Sequence, residues 1–522
     1  MGDYPAARRY VRAGGMAGRR PMKDGFRQTM AFLHSWAGLF PGWLLYAIFL
    51  SGSLTYYRQE ITLWMRPELS GAAADPQAAV HAIDRLRQAA PDARLWRIDL
   101  PNARNPVTEI LWKGEKGGFR SEYLDPRTGG QLHGRETMGG DFLYYFHFDL
   151  HAPVRLGRWL VCFAAIAMLV AIISGIITHR RIFADFFTFR PRKGQRSWLD
   201  AHNVAGVLAL PFCLMISFTG LITLATMFMP WAIQRAYSSD TAAYARDLKG
   251  QGMVAAAVSS ADAPALSGPM VDHIVGRAEQ IWPKGRAGRI LVDNPGSKHA
   301  TVTVERRDAD SISYDLVWLR FSADGRLIAR HDGGGPAVTT HGWLYGLHLA
   351  RFSGGTLRFL FFLSGLLGTA MIATGLILWV VKRRTQNPAS PRPMAAERAN
   401  VAMIAGLPIA IAALLLANRL LPAGMSGRMA WEASAFFLSW IAALMNAWMM
   451  PPKRAWTGQV RCLGLLCLAA PIPQMFVPDS GLFAWVRTGD MARVCVDLAL
   501  FITGLTALAA ASKASARRRA KA

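Results

Sequence analysis

The chain is short of cysteine, short of acidic residues and short of the motifs that mark most soluble enzymes. Its five cysteines, Cys162, Cys213, Cys462, Cys467 and Cys495, all fall in or beside apolar runs, so neither a disulfide framework nor a Cys-based zinc site is expected. No P-loop, no Gly-x-Gly-x-x-Gly turn and no His-Glu-x-x-His pair occurs. ATP hydrolysis, direct nicotinamide binding and zinc proteolysis therefore have no support. Charged residues make up only 18% of the 522, yet 59 Lys and Arg against 34 Asp and Glu leave a formal net charge of +25.

A basic surplus of that size suits a nucleic-acid binder, because Lys and Arg neutralise phosphates. Its placement argues for no nucleic acid and for a lipid bilayer instead. The chain is 52% hydrophobic, and the stretches 36–57, 156–178, 203–230, 357–381, 399–421, 431–450, 459–478 and 491–511 are each apolar. Each approaches or exceeds the roughly 20 residues a helix needs to cross the hydrocarbon. Basic clusters sit beside them: Arg8 to Arg27 before the first, His179 to Arg196 between the second and third, then Lys382 to Arg384, Lys453-Arg454 and Lys513 to Lys521. Basic connections on every second side predict an inner-membrane, multi-pass protein with both termini cytoplasmic. Phe32 to Tyr57 lacks a short apolar run with a cleavage site after it, and reads as a retained anchor.

The expected plan follows. A basic cytoplasmic N-terminus (1–31) and a first span (32–57) lead to an external domain (58–150), a second span (156–178) and a basic cytoplasmic loop (179–201). A third span (202–230), a second external domain (231–350), a fourth span (357–381) and a cytoplasmic linker (382–398) come next. A four-helix membrane extension (399–511) and a basic tail (512–522) finish the chain.

The first part of this plan repeats. His34-Ser-Trp-Ala37-Gly38 is echoed by His202-Asn-Val-Ala205-Gly206, and the same offset of 168 residues carries Ser51-Gly52 onto Thr219-Gly220. Tyr144-Tyr-Phe-His147 is matched by Tyr345-Gly-Leu-His348, and Ser174-Gly175 by Thr374-Gly375, with a one-residue slip. Between the spans, periodicity predicts a helix over 77–90, strands at Arg94–Leu100, Glu109–Lys113 and Ser121–Leu124, and a turn at Asp125 to Gly130. The second segment has the same order, with a helix near 270–281, strands near 288–292, 300–306 and 313–321, and a turn at Asp324-Gly325.

This layout resembles the PepSY-associated transmembrane family, over residues 30–385. The junction Phe146-His-Phe-Asp-Leu-His151, the run Ile177-Thr-His179-Arg-Arg, and Phe187-Thr-Phe-Arg190-Pro through Ser197-Trp-Leu-Asp-Ala-His202-Asn are similar to one branch of it. The resemblance implies an α-helical integral membrane protein: a duplicated four-helix transmembrane core with two external α+β PepSY-like domains, here carrying a four-helix C-terminal extension. It also implies haem-mediated electron transfer to a ferric siderophore in iron uptake, with an unidentified cytoplasmic or membrane electron donor. The run Leu210-Pro-Phe-Cys213-Leu-Met departs from that branch, where histidine occurs at the position of Cys213.

Six of the twelve histidines lie at boundaries of the first four spans. His34, His179 and His202 belong to the cytoplasmic end, and His147, His151 and His348 to the external end. Haem b needs imidazole ligands in a buried site, and polar residues at spans are otherwise costly. Two levels imply two haems, or at least one. The repeat pairs His34 with His202 and His147 with His348, with His151 and His179 as substitutes; His179 aligns with Trp379 in the second unit. Gly38, Gly52, Gly206, Gly220, Gly175 and Gly375 read either as clearances for a flat macrocycle or as close helix packing. Arg155, Arg158, Arg351 and Arg358 read either as propionate partners or as residues snorkelling to the interface. Two rival readings stand beside ferric-chelate reduction: a siderophore transporter, and a non-enzymatic binding or regulatory protein.

Overall fold

The computed structural model describes residues 25–114, 118–179, 190–248, 266–282, 285–297, 299–387, 390–478 and 480–520. The basic clusters expected at 8–23 and 180–189 lie outside the described residues.

The first span is bent. Helices α1 (Phe26–Leu39) and α2 (Gly42–Thr55) meet at 60°, where Pro41 lacks the N–H needed to continue the ladder. A short α3 (Arg58–Met65) leads into the first soluble segment, with α4 (Ala78–Ala89), β1 (Leu95–Asp99), β2 (Thr108–Lys113), β3 (Phe119–Leu124) and β4 (Gln131–Leu132). Helix α5 (Asp141–Asp149) returns to the long α6 (Val154–Thr178), and α7 (Gln195–Thr223) follows. Short helices α8 (Ala225–Phe228), α9 (Trp231–Tyr237) and α10 (Thr241–Leu248) precede the second soluble segment, with α11 (Gly268–Ile281), β5 (Ala287–Asp293), β6 (Thr301–Arg306), β7 (Trp318–Ser322) and β8 (Leu327–His331). Helices α12 (Pro336–Leu349) and α13 (Gly355–Gln386) repeat the short-then-long order of α5 and α6. The extension holds α14 (Pro391–Ile404), α15 (Gly406–Leu420), α16 (Arg428–Met449), α17 (Pro452–Ala469), α18 (Leu482–Thr488) and α19 (Met491–Arg519).

Among the described residues six helical stretches are long and apolar enough to cross a membrane, or seven if the bent first pair counts as one. Eight were expected from hydropathy. The stretch at 431–450 is the one not among them; its helix α16 mixes Glu432, Ser434, Ser439 and Asn446 with its apolar residues.

The two soluble segments are not separate domains, as the sequence suggested, but halves of one sheet. Its eight antiparallel strands run in the order β4-β3-β2-β1-β5-β6-β7-β8. The halves join where β1 pairs with β5, from Leu95 opposite Asp293 to Asp99 opposite Arg289. Alone, each half would leave a row of unpaired backbone groups on β1 or β5; pairing covers both edges. Helices α4 and α11 share one core on a single face, with Ile83, Leu86, Val271 and Ile274 against Trp96, Ile98, Ile290 and Val304. The alternation of side chains along a strand then turns Arg97, Asp99, Arg289 and Glu305 to the opposite face, toward the membrane helices.

The extension grips the first unit. Trp43 Nε1 donates to Asn400 Oδ1 at 2.8 Å, and Tyr46 donates to the Ile404 carbonyl at 3.0 Å. The carbonyls at and just after the end of α3 are met by buried guanidiniums, Arg493 on Leu63 and Arg66 at 2.9 and 3.0 Å and Arg419 on Trp64 at 2.7 Å. Glu432 accepts from Arg428, from Asn418 at 2.8 Å and from the Thr137 hydroxyl. Phe436 packs on Phe142 and Phe146 of α5, with ring centroids 4.9 and 5.1 Å apart.

Candidate functional site

One local device occurs four times. In each Ser/Thr-Gly pair the hydroxyl bonds back into its own helix four residues earlier: Ser51 to Ala47 at 2.7 Å, Ser174 to Val170 at 2.6 Å, Thr219 to Met215 at 2.8 Å and Thr374 to Ala370 at 2.7 Å. The glycine that follows is the seat of a histidine ring. A Cβ added at Gly175 would stand 2.9 Å from His34 Cε1, at Gly375 3.0 Å from His202 Cε1, at Gly52 2.6 Å from His147 Cε1, and at Gly220 2.9 Å from His348 Cε1. These four glycines thus clear space for imidazoles. Of the other two, Gly38 has nothing within 4 Å of such a Cβ, and Gly206 meets Met371 Sδ at 3.4 Å.

The same geometry fixes the tautomer. His34 Nδ1 lies 2.8 Å from the Ala171 carbonyl, His147 Nδ1 2.8 Å from Ile48 and His202 Nδ1 2.8 Å from Met371. His348 Nδ1 lies 3.1 Å from the Thr219 hydroxyl. For the first three a carbonyl only accepts, so Nδ1 carries the proton and donates, leaving the Nε2 lone pair free. This is how metal-binding imidazoles are usually oriented.

Each unit seats its own two histidines, and the rings then face each other across the units. His34 and His202 have centroids 6.2 Å apart, and His147 and His348 6.1 Å. With a metal–nitrogen bond of about 2.0 Å and about 1.1 Å from nitrogen to ring centre, two imidazoles sharing one metal stand about 6.2 Å apart. A separation of that size leaves room for one metal ion between the rings of each pair, so His34 with His202 and His147 with His348 could each hold one. His179, just after the end of α6, has its ring 5.9 Å from that of His34. His151 belongs to neither pair. Its Nε2 bonds the Phe142 carbonyl at 2.8 Å and its ring stacks on Phe142 at 4.3 Å, which ties the turn between α5 and α6.

Above the pair nearer the sheet, His147 and His348, a cavity of about 890 Å³ runs up to the sheet's charged face. Arg58, Tyr144, Arg158, Tyr345 and Arg351 form a collar around it, and Arg97, Asp99, Glu109, Arg289 and Glu305 roof it. Arg58 pairs with Asp141, and Arg351 with Asp308. Burial raises Glu305 above the ordinary carboxylate range against the opposing charge of Arg289, and burial followed by neighbouring Asp99 raises Glu109. Of the four arginines picked out in the sequence, Arg158 and Arg351 line the cavity, whereas Arg358 is bound by Glu60 and the Ser353 carbonyl, and Arg155 is exposed. Cys213 is buried between the two histidine levels, where a Cβ on Gly368 would meet its Sγ at 3.0 Å.

The sequence pattern of the PepSY-associated TM region matches residues 31–382. The chain belongs to that family. All six candidate histidines lie inside the PepSY-associated region, and α14 to α19 lie beyond it. The chain is also similar to the uncharacterized protein PA4219 of Pseudomonas aeruginosa, at 26% identity over 382 residues, covering 70% of this chain and 92% of that protein.

The roof arginines Arg97 and Arg289 had no signal in the sequence, because a charged residue alternating with apolar ones in a strand reads as facing solvent. Only the fold turns that face inward.

Proposed function

We propose that this PepSY-associated protein is a haem-containing electron-transfer protein of the bacterial inner membrane that reduces ferric siderophore in the periplasm during iron uptake. The observation that carries the reading is the pair of facing imidazole pairs, each ring seated on a glycine. His34 and His202 would hold one haem b and His147 and His348 another, with His179 as the alternative partner of His34. Bound haem supplies one-electron redox chemistry at each level.

The chain's own residues set the conditions for that chemistry. His202 and Gly220 are 18 residues apart on α7, about 27 Å of helix, so the two pairs stand near opposite faces of a hydrocarbon layer about 30 Å thick. Phe49, Ala209, Cys213, Ile372 and Leu376 pack the space between and keep water out. The placement of basic loops supports cytoplasmic termini and a periplasmic sheet, with the electron donor on the cytoplasmic side. Ferric iron suits the anionic oxygens of siderophores better than ferrous iron does, so reduction loosens the chelate. The repeated seats support reading the core as two copies of one helix–domain–helix unit. A transport path gains nothing from the extension, since Asn418, Arg419, Glu432 and Asn446 are each hydrogen-bonded within the protein.

The test is a pyridine haemochrome assay with protein quantitation, followed by donor-driven reduction of ferric siderophore read by a ferrous trap in proteoliposomes. Two haems per chain and a donor-dependent signal are expected. Colourless protein overturns the reading.

A further inference from the structure

Far from the sheet, α1 and the end of α13 carry an aromatic patch that the histidine seats do not need. Phe32 and Trp36 on α1 and Phe40 just beyond its end are spaced by four residues, so their rings follow one face of the helix. Trp36 stacks on Phe40 with centroids 5.5 Å apart at 13°, and tilts against Phe32 at 6.0 Å. Phe32 and Phe40 are 66% and 65% exposed. From α13, Trp379 meets Trp36 edge-on at 6.1 Å. Arg383 lies 3.9 Å above the Trp379 ring and 5.6 Å from that of Trp36. At the offset of 168 residues the counterparts of Phe32, Trp36 and Phe40 are Asp200, Val204 and Leu208. The aromatic pattern is therefore no part of the repeat that seats the histidines.

The patch also holds unused hydrogen-bond donors. Trp379 Nε1 is buried with no acceptor, and Arg383 has no carboxylate partner among the described residues. An aromatic belt accounts for exposed rings at a membrane surface. It does not account for a buried indole N–H left unmet, which costs free energy until something accepts from it. Exposed rings beside idle donors suit a ligand that is flat and apolar in its body and carries oxygen acceptors at its rim. The place narrows the choice. α1 and α13 both belong to candidate spans, so rings exposed there face the bilayer. Trp379 stands four residues beyond Gly375, one helical turn from the seat of the His202 ring.

We propose that this patch is the site of a membrane quinol that supplies the electrons. The inference rests on the reductase reading above and names its donor as a lipid-soluble two-electron carrier. The quinol ring lies against Trp36 and Phe40, Trp379 Nε1 and Arg383 donate to a ring oxygen, and the tail extends into the bilayer. Two O–H bonds of the quinol break, and the ring becomes a quinone. Two protons leave for water on that face, and two electrons pass one at a time to the haems, taking two ferric irons to ferrous.

The first probe is a short-tailed azidoquinone, photolysed with the full chain in zwitterionic nanodiscs and mapped by mass spectrometry, for the wild type, Trp379→Phe and Arg383→Gln. Label is expected on the segments holding Phe32 to Phe40 and Trp379 to Arg383, and should be displaced by excess decylubiquinone. At low probe it should fall about tenfold in each variant. In parallel, decylubiquinol is mixed anaerobically with the haem-loaded protein and the haem spectrum is followed in time. Each variant should slow haem reduction about tenfold at low quinol, while haem content and the dithionite-reduced spectrum stay those of the wild type. Label placed elsewhere, wild-type labelling in both variants, or haem reduced by reduced flavin mononucleotide but not by the quinol overturns the site. Loss of haem from the variants overturns it too, by assigning Trp379 and Arg383 to the haem. Colourless protein labelled at this patch in the same residue-dependent way upholds the quinone site and removes the haem reading instead.

Discussion

A Cβ on Gly52 would lie 2.6 Å from both Cε1 and Nδ1 of His147. No side-chain carbon approaches a ring that closely, so the glycine and the histidine are one functional unit. Gly52→Ala should push the His147 ring out of line with His348 and cost about 1–3 kcal/mol by overpacking. The expected result is loss of the haem nearer the sheet with the other retained. Gly38→Ala, which adds a methyl group to open space, should change nothing. Haem-to-protein ratios of the two variants check this, and a full complement in Gly52→Ala would remove the seat from the argument.

The histidines divide by level. His34→Ala or His202→Ala should deplete the haem far from the sheet and stop donor-driven reduction. His147→Ala or His348→Ala should abolish chelate reduction while the other haem stays reducible. His151→Ala should keep both haems and lower stability by about 1–3 kcal/mol, since it removes a hydrogen bond to the Phe142 carbonyl and the ring packed on Phe142. Haem spectra and thermal unfolding of the five variants separate these outcomes, and a His151 variant that loses haem would contradict the pairing.

How much of this was legible in the sequence depends on the kind of signal. The periodicity at 77–90 corresponds to α4 at Ala78–Ala89, because an amphipathic stripe is local. The equivalence of His34 with His202 and of His147 with His348 is a matter of constant spacing, and the rings of each pair do face one another. The union of two soluble segments into one sheet is not local, since it depends on which edges β1 and β5 leave open. The use of Gly175 by His34 was hidden for the same reason: the ring and its seat are on different helices, and a glycine in a span reads equally well as close packing.

The extension is expected to act on the site through α3 and α5. Arg428 and Glu432 are 0% and 2% exposed, and Glu432 also holds Thr137 next to the start of α5. Arg428→Met, which strands the carboxylate, should cost about 3–5 kcal/mol, and the double variant with Glu432→Met should recover much of that. Thermal unfolding in detergent reads the energies. If the single and double variants melt alike, the pair is not coupled as described.

The last expectation concerns pH. Glu109 and Glu305 both sit above the ordinary carboxylate value of 4.5, through burial first in each case. Asp99 and Asp141 add to the rise at Glu109 against Arg66 and Arg97, and Asp308 adds to it at Glu305 against Arg289 and Arg97. A raised carboxylate takes up its proton in the folded protein at a pH where the unfolded chain has already lost it. The penalty on the folded state is therefore present above the folded value and relieved as pH falls toward 4.5. Each proton taken up also removes a negative charge from the roof of an arginine-rich cavity. Glu109→Gln, which never carries the buried charge, should therefore be more stable than the wild type at neutral pH, with an advantage that shrinks as pH falls toward 4.5. Thermal unfolding of wild type and Glu109→Gln at several pH values gives the difference; an advantage that stays constant with pH, or grows with acid, would mean that the carboxylate carries no such penalty.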